Sequence, residues 1–406
     1  MNNNPVKRSP DDVSIPKVTS GSTRDFLAVA VLFLGNGLVV GTFGGSLPGL
    51  RSRLDLSPGQ IVGVLVAAGI FAVASMNLGG PLSDRFGART PSMIGGSLMA
   101  AAGVVMGLAP SYPVLVLGAA VFGLGNGAMD VSMNTLGVAV EQARRRPVMS
   151  RLHACFSIGG FVGALIVVVL GRLLSDDVTK WSLWTASALM LVLLAGVYPI
   201  TPQSPRRRSE DGTSGEIPKV AWLLAAMAIC FGLTEGTAVD WSSLHVTDVG
   251  NVSPSTGAWG LACVSWFMVV IRLCGDYVVE RLGRAFVVRT GSACALVGYL
   301  FTVFGSGLAV ILVGWCLVGL GVGLIAPQIY GLAGHVGGGR GLAVVVSFGY
   351  AAFLIGPAII GFVVSHSSLQ RAMLVPVVTA VGLIVMSARL PADPTSDAVE
   401  PPPKDL

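Results

Sequence analysis

Three carboxylates stand inside long apolar stretches of the sequence: Asp130, Glu235 and Asp240. Placing a charge at the centre of a bilayer costs about 2.5–3.5 kcal/mol on insertion scales, so such residues usually face a cavity, pair with a partner or carry a proton. A carboxyl group of this kind can take up a proton on one side of a membrane and release it on the other. The sequence therefore predicts proton exchange at Asp130, with Glu235 as the second candidate.

A polar stripe surrounds the first of these acids. Asn126, Asp130 and Asn134 follow one another at intervals of four residues, which places them on one face of a helix, and Glu141 continues the stripe. The stripe predicts the wall of a polar cavity. The alternative is that Asp130 only hydrogen-bonds a neighbouring helix and holds the packing.

The other two acids belong to one run but to different faces of it. Glu235 and Asp240 are five residues apart, so they point about 140° away from each other on a helical wheel. A further face is shared by Thr234, Trp241, His245 and Asp248. Trp241 either stacks on a sugar ring or belongs to an aromatic belt at the membrane surface, and the sequence leaves both interpretations open.

Membrane helices must position these residues. The chain has 406 residues, of which 53% are apolar and 12% charged, against about 25% charged in soluble domains. So few polar residues cannot cover a large water-soluble globule. Twelve apolar runs have about the 20 residues that cross a bilayer. They are Phe26–Leu50, Pro58–Leu82, Pro91–Ala109, Pro113–Val140, Ser150–Leu174, Trp181–Ile200, Val220–Val246, Pro254–Cys274, Ala285–Ser306, Leu308–Ala333, Leu342–Ser365 and Leu369–Ala388.

The basic residues between the runs predict the orientation. With both termini in the cytoplasm, the inner segments hold 20 Lys and Arg residues and the outer loops hold five. This bias follows the positive-inside rule. We expect a multi-pass protein of the cell (cytoplasmic or inner) membrane with both termini cytoplasmic.

Polar segments divide the chain. We expect disordered cytoplasmic tails at residues 1–24 and 391–406, and a cytoplasmic linker at residues 201–218, which is rich in Pro, Gly, Ser and Arg. Two six-helix bundles then occupy residues 25–200 and 219–390. The predicted fold is an all-α membrane protein of twelve transmembrane helices in two pseudo-symmetric bundles.

An internal repeat supports the two bundles. One constant offset places Gly123, Gly125 and Gly127 on Gly319, Gly321 and Gly323. The same offset pairs three further sets of positions: Asp84 with Glu280, Arg85 with Arg281, and Gly87 with Gly283. Repeated halves are typical of many transporters.

The loop after the second run reads GPLSDRFGAR from Gly80 to Arg89, and Gly275 to Arg284 (GDYVVERLGR) is a degenerate second copy. This loop resembles the GxLxDRxGRK signature of the major facilitator superfamily, with Ala88 where a basic residue is usual. The resemblance implies that the halves are held together at this surface by a conformational latch. We assign to it Gly80, Asp84, Arg85, Gly87, Arg89 and Glu141.

Three further segments resemble the fucose-permease-like branch of that superfamily: Gly125–Asn134, His153–Leu165 and Glu235–Ser242. The resemblance implies proton coupling at Asp130. Gly44 stands where the branch's sugar symporter has an acid, so fucose itself is put in doubt. In this fold helices one, four, seven and ten line the cavity, which nominates Asn36, Asn126, Asn134, Asp240, Trp241, His245, Gln328 and Tyr330 as cavity residues.

Two basic side chains receive structural predictions. Arg272 and Asp276 are spaced to pair near a helix end. His153 is either a proton relay or a packing residue, and we expect packing.

Several functions find no signal. The sequence has no phosphate-binding loop for ATP, no CxxC pair or metal-ligand spacing, no arrangement of a nucleophile with a base, and no basic nucleic-acid patch. We expect no enzyme activity, no cofactor and no nucleic-acid partner.

The sequence thus predicts a secondary transporter that moves a small polar solute, a sugar or related metabolite, with protons as the coupling ion. Its other partner is the lipid bilayer, and we expect a functional monomer. One alternative is a proton-driven exporter of drugs or metabolites, although Ser157–Gly163 lacks the Gly-Pro motif frequent there. The other is a sensor or scaffold that keeps the fold without transport.

Overall fold

The computed structural model describes residues 22–146, 148–202 and 217–390, without the side chains at 79–84, 276 and 337–339. The predicted C-terminal tail, most of the predicted N-terminal tail and most of the predicted linker lie outside these residues, whereas residues 22–24 of the N-terminal tail already belong to the cap and first turn of a helix. Within the described ranges all regular secondary structure is helical.

Twelve helices are long and apolar enough to cross a membrane, as predicted. We number these spans in chain order: α1 Thr23–Arg53, α2 Pro58–Leu78, α3 Arg89–Leu108, α4 Tyr112–Arg144, α5 Met149–Leu173, α6 Val178–Val197, α7 Lys219–Val249, α8 Pro254–Gly275, α9 Arg284–Phe304, α10 Leu308–Val336, α11 Arg340–His366 and α12 Leu369–Ser387. The first half is α1–α6 and the second half is α7–α12. The face of the membrane where α1 begins and the linker attaches is called the linker side, and the other face the opposite side.

Several helices extend past the predicted ends. The helix of α1 reaches Arg53 rather than Leu50, and it begins with a capping box in which Ser22 and Asp25 satisfy each other's backbone amides. The helix of α8 continues to Leu282. Charged residues near the ends of the apolar runs are therefore still helical. Arg51 and Arg272 both have their side-chain positions set by a helix in this way.

The helical assignment is broken inside α10 but not between α10 and α11. Helical hydrogen bonding is interrupted after Val322 and resumes at Ile325, from where it continues to His366. A Cβ on Gly341 would nevertheless lie 3.5 Å from the carbonyl oxygen of Ala333. Eight residues of straight helix would separate these positions by about 12 Å, so the chain reverses within this stretch.

The internal repeat reappears in the packing. A Cβ on Gly123 would overlap the carbonyl oxygen of Ala68, and a Cβ on Gly319 would overlap that of Val264. Both contacts are related by the offset found in the sequence. Gly87 and Gly283 also match, with φ angles of 78° and 77° that favour glycine. The two halves are thus built on the same helix contacts.

The backbones of α1 and α5 lie in direct contact. A Cβ on Gly37 would overlap the carbonyl oxygen of Phe156, and one on Gly159 would overlap that of Leu34. Small residues let membrane helices approach until their backbones touch. This contact holds the helix that carries Ser157 against α1.

We expect Gly37→Ala to destabilise the protein by about 1–3 kcal/mol, because the added methyl group must push α1 away from α5. The measurement is the thermal unfolding midpoint in detergent. Gly196→Ala is the matched control, because no atom lies within 4 Å of the added Cβ. Equal midpoints for the two variants would contradict the proposed close packing.

Candidate functional site

Asp130 is bonded across the boundary between the halves. The Tyr350 hydroxyl of α11 donates to its Oδ2 at 3.2 Å, and Asn134 Nδ2 donates to its Oδ1 at 3.2 Å. The structure thus brings Asn134 to Asp130, as the spacing predicts. Asn126 lies half-buried on the same stripe. One carboxylate therefore accepts hydrogen bonds from its own helix and from a helix of the other half.

Tyr350 was missed by sequence reasoning, because a tyrosine in an apolar run is usually a packing residue. Tyr330 of α10 lies close to the residue that precedes Tyr350, because the Tyr330 hydroxyl occupies the space that a Cβ on Gly349 would need. Gln328 and Tyr330 are both half-buried. The glycine at position 349 therefore makes room for a polar group next to the segment that holds Tyr350.

Arg272 forms the second contact between the halves. Its Nη2 lies 3.4 Å from Oε1 of Glu235, and its Nη1 donates to the Ser157 hydroxyl of α5 at 2.5 Å and to the His153 carbonyl at 3.3 Å. Its Nε donates to the carbonyl of Gly323 at 3.0 Å, where α10 is interrupted. This buried guanidinium joins α5, α7, α8 and α10.

The side chain of Asp276 lies outside the described ones, so its predicted pairing with Arg272 stays a prediction, and the described counter-charge is Glu235. Because the helix of α8 continues to Leu282, position 272 lies within the helix rather than near its end, and the Arg272 side chain is 7% exposed. A buried guanidinium needs a counter-charge, and Glu235 provides it. Glu235 is itself 14% exposed as a side chain.

His153 contributes its carbonyl group to Arg272, while its ring packs edge-on against Phe33 with centroids 5.2 Å apart. This geometry agrees with the predicted packing role.

Two predicted cavity residues pack inside the second half instead. His245 is fully buried, with Nε2 against the carbonyl of Thr302 at 3.1 Å and its ring against Trp315. Trp241 is 2% exposed, so it neither belongs to a surface belt nor offers a face to a solute in this structure. Their side of α7 points at α9 and α12, as Thr234 shows by contacting Tyr299 and Thr379.

Asn36 and Asp240 are placed differently. Asn36 is 1% exposed, and its Nδ2 points to the sulfur of Met99 on α3, so it lies inside the first half rather than in a shared cavity. Asp240 is half-buried, and within the described residues no hydrogen bond or ion pair engages its carboxylate. The cavity role of Asp240 stays a prediction.

The predicted latch is only partly visible, because the side chain of Asp84 lies outside the described ones. Arg85 lies over the ring of Phe86, and Arg89 lies over the ring of Tyr198 and donates to its carbonyl oxygen.

Glu141, also assigned to the latch, accepts from the amides of Val148 at 2.7 Å and Met149 at 3.1 Å. Its carboxylate therefore caps the start of α5 within the first half. The role of these residues as a latch stays a prediction.

An ion pair that the sequence did not reveal joins the halves on the opposite side. Both terminal nitrogens of Arg51 donate to the two carboxylate oxygens of Asp248, at the ends of α1 and α7. The side chains are 25% and 35% exposed. The contact lies where the two halves must separate if this side opens to water.

We expect Arg51→Ala to loosen that side. An exposed ion pair contributes about 0.2–1 kcal/mol, which corresponds to a shift of up to about fivefold in the population of the open state. The measurement is the rate at which an impermeant maleimide labels Ala258→Cys, a position that is fully buried against Val167 and Val168. The exchanged pair Arg51→Asp with Asp248→Arg should restore slow labelling, and equal rates in all three backgrounds would contradict the gating role.

This geometry defines a helical membrane protein in which buried polar groups connect two repeated halves. The model of the Major Facilitator Superfamily matches residues 27–337, and the chain belongs to this superfamily. It is a multi-pass membrane transporter of that family.

Known proteins agree with this assignment. An uncharacterized transporter, y4wD, of Sinorhizobium fredii is 32% identical over 348 residues, covering 84% of this chain and 92% of its own. A D-xylose-proton symporter superposes with a TM-score of 0.72 at 15% identity, over 91% of this chain and 98% of its own. A variant of the nucleoside transporter NupG superposes with a TM-score of 0.71 at 13% identity, over 90% and 99%. These two structures show the shared fold.

Proposed function

We propose that this protein is a proton-coupled secondary transporter of a small polar solute, with Asp130 as the principal proton-exchanging group. The observation that carries the proposal is the hydrogen bond from Tyr350 to Asp130, which joins α4 of the first half to α11 of the second. The hydrogen bonding of a carboxyl group in this position depends both on whether it is protonated and on how the two halves are placed.

The coupling follows from hydrogen-bond chemistry. An ionised Asp130 accepts bonds from Tyr350 and Asn134 together, whereas a protonated carboxyl has less capacity to accept and gains an O–H that needs an acceptor. Protonation therefore weakens the tie between α4 and α11. Rocking of the two halves, residues 25–200 and 219–390, would then expose the site to alternate sides.

Glu235 is the second proposed exchanger. Its contact with Arg272 is long, at 3.4 Å, and Arg272 also binds α5 and the interruption in α10. Neutralising Glu235 would leave Arg272 bonded only to neutral groups among the described residues, so proton uptake there also bears on contact between the halves.

The proposed substrate class is a sugar or related polar metabolite. Structures named as a D-xylose-proton symporter and a nucleoside transporter share this fold. Membership of the fucose-permease-like branch is proposed on the segments around Asp130, His153 and Glu235. Asn126, Gln328 and Tyr330 are half-buried polar groups that can contact such a solute.

Flux into proteoliposomes tests the proposal. Labelled D-xylose, D-glucose and uridine are offered with and without an inward proton gradient, and we expect one of them to accumulate only with the gradient. Efflux under the same gradient would instead favour the exporter. A protein that binds a probe in thermal-shift assays and moves none would favour the sensor or scaffold.

The proposed orientation places both termini and the linker in the cytoplasm of the cell, on the excess of Lys and Arg in the inner segments. A cysteine introduced at Ser204 should react with an impermeant maleimide in inside-out vesicles and stay unlabelled in intact cells. The reverse pattern would contradict this orientation. A monomer is proposed, to be measured as particle mass in detergent.

A further inference from the structure

A cavity of about 250 Å3 opens on the opposite side, at the boundary between the halves. We call it the vestibule. The ends of α1 and α5 and the start of α6 form its wall from the first half, and the start of α8 closes it from the second half. Its polar lining consists of Ser46, Ser52, Arg53, Asp177, Thr179 and Ser255. It is separate from the interior cluster around Asp130 and Arg272.

The vestibule contains polar groups that lack partners. Ser46 is 1% exposed, and its hydroxyl and Arg53 Nε are buried without a hydrogen-bond partner among the described residues. A buried polar atom left unbonded costs free energy, and a polar group entering the vestibule could supply the missing partner. The hydroxyls of Ser52 and Thr179 also have no hydrogen bond within the described part of the chain.

The backbone keeps one of these hydroxyls in place. A Cβ on Gly49 would overlap Oγ1 of Thr179, so a larger residue there would push the Thr179 side chain away. Glycine at position 49 thus preserves both the space and the hydroxyl.

The charged groups of the lining are already engaged. The terminal nitrogens of Arg53 donate to the carbonyls of Met106 and Gly107 at 2.8 Å, which leaves Nε free. The ammonium group of Lys180 hydrogen-bonds to Asp177 and lowers the pKa of that carboxyl group. The unsatisfied groups are therefore hydroxyls and one N–H, and the formal charges of Arg53 and Asp177 cancel.

We infer that the vestibule is an outer binding site for a small neutral polyhydroxylated solute, a monosaccharide or sugar alcohol. The volume lies below the 300–1,000 Å3 typical of sites for drug-sized ligands, and the free donors and acceptors match hydroxyl groups. The site would hold a solute while the Arg51–Asp248 pair keeps the path to the interior closed.

Protection from labelling tests the site without requiring transport. Ser255→Cys places a thiol in the vestibule, and Ser175→Cys places one on an exposed loop of the same side as the matched control. The probes are D-xylose, D-glucose and D-sorbitol, with anionic D-glucuronate and cationic choline as charged comparators. We expect a neutral probe to slow maleimide labelling of Ser255→Cys about tenfold at saturation, and to leave Ser175→Cys unchanged.

Two added variants assign the protection. Ser46→Ala with Thr179→Val, which removes two hydroxyls, should require about tenfold more probe for the same protection. Thr135→Ala should leave protection unchanged, because the Thr135 hydroxyl lies on an exposed face of α4 outside the vestibule. Unfolding midpoints confirm that each variant folds.

Three results would overturn the site: no protection by any neutral probe, equal protection by the charged comparators, or loss of protection in Thr135→Ala. Because labelling is read without flux, its failure is distinguishable from failure of proton-coupled transport.

Discussion

Asp130→Asn is expected to abolish accumulation driven by a proton gradient while exchange of solute across the membrane continues. Asparagine can still accept the hydrogen bond from Tyr350, so the contact between α4 and α11 is retained. It cannot gain or lose a proton, so the link between the proton gradient and the solute is removed. Coupling free energies between sites are typically 1–3 kcal/mol, and we expect the accumulation ratio to fall by about tenfold or more.

The measurement pairs two assays on the same proteoliposomes: gradient-driven uptake, and counterflow with equal pH on both sides. Asp176→Asn is the matched control, since Asp176 is an exposed carboxylate in the loop before α6. Accumulation at the wild-type level in Asp130→Asn would remove this residue from the coupling mechanism. Loss of counterflow as well would assign Asp130 to solute binding rather than to coupling.

Tyr350 separates the two parts of that mechanism. Tyr350→Phe removes only the hydroxyl that crosses between the halves and leaves the carboxyl group of Asp130 free to exchange protons. The variant therefore asks whether proton exchange must be communicated through this hydrogen bond. Asp130→Asn thus tests the group that exchanges the proton, and Tyr350→Phe tests the hydrogen bond that transmits the change to the other half.

The sequence predicted the spans and the local partners well, because both follow from the period of a helix. Apolar runs of membrane length fixed twelve helices, and the interval of four residues placed Asn134 beside Asp130. The positive φ of Gly87 and Gly283 also agrees with their matched positions in the repeat. These features depend on neighbours along the chain.

Contacts between the halves could not be predicted in this way. Asp130 and Tyr350 are 220 residues apart, and Arg51 and Asp248 are 197 apart. Their pairing depends on how two bundles sit against each other, and helical periodicity carries no information about that. A helical wheel shows which residues share a face of α7. It does not show which neighbour that face contacts, and the face with Trp241 and His245 is buried inside the second half.

Arg272 shows how the position of a helix boundary bears on the role expected of a residue. Ending the eighth run at Cys274 put Arg272 near a helix end, where a partner four residues away is reasonable. The helix continues to Leu282, so Arg272 lies within it, and the counter-charge found among the described side chains is Glu235 on another helix. In a membrane interior a lone cation is costly enough to select its partner.

Removing that cation should therefore have the largest effect on stability. Arg272→Met leaves the carboxylate of Glu235 buried without a counter-charge and removes the bonds to Ser157 and Gly323. Breaking a buried ion pair by deleting one partner costs about 3–5 kcal/mol. We expect the unfolding midpoint in detergent to fall sharply, and the fall to be smaller at low pH, where protonation neutralises Glu235.

The double variant Arg272→Met with Glu235→Gln provides the control. Replacing both charges removes the uncompensated carboxylate, so most of the lost stability should return. If the double variant is as unstable as Arg272→Met, the bonds to Ser157 and Gly323 dominate rather than the charge. Of the two members of the ion pair, only Glu235 becomes neutral at low pH. Recovery of stability in the double variant, together with loss of its pH dependence, would therefore identify the ion pair as an electrostatic contact between α7 and α8. The same guanidinium also binds α5.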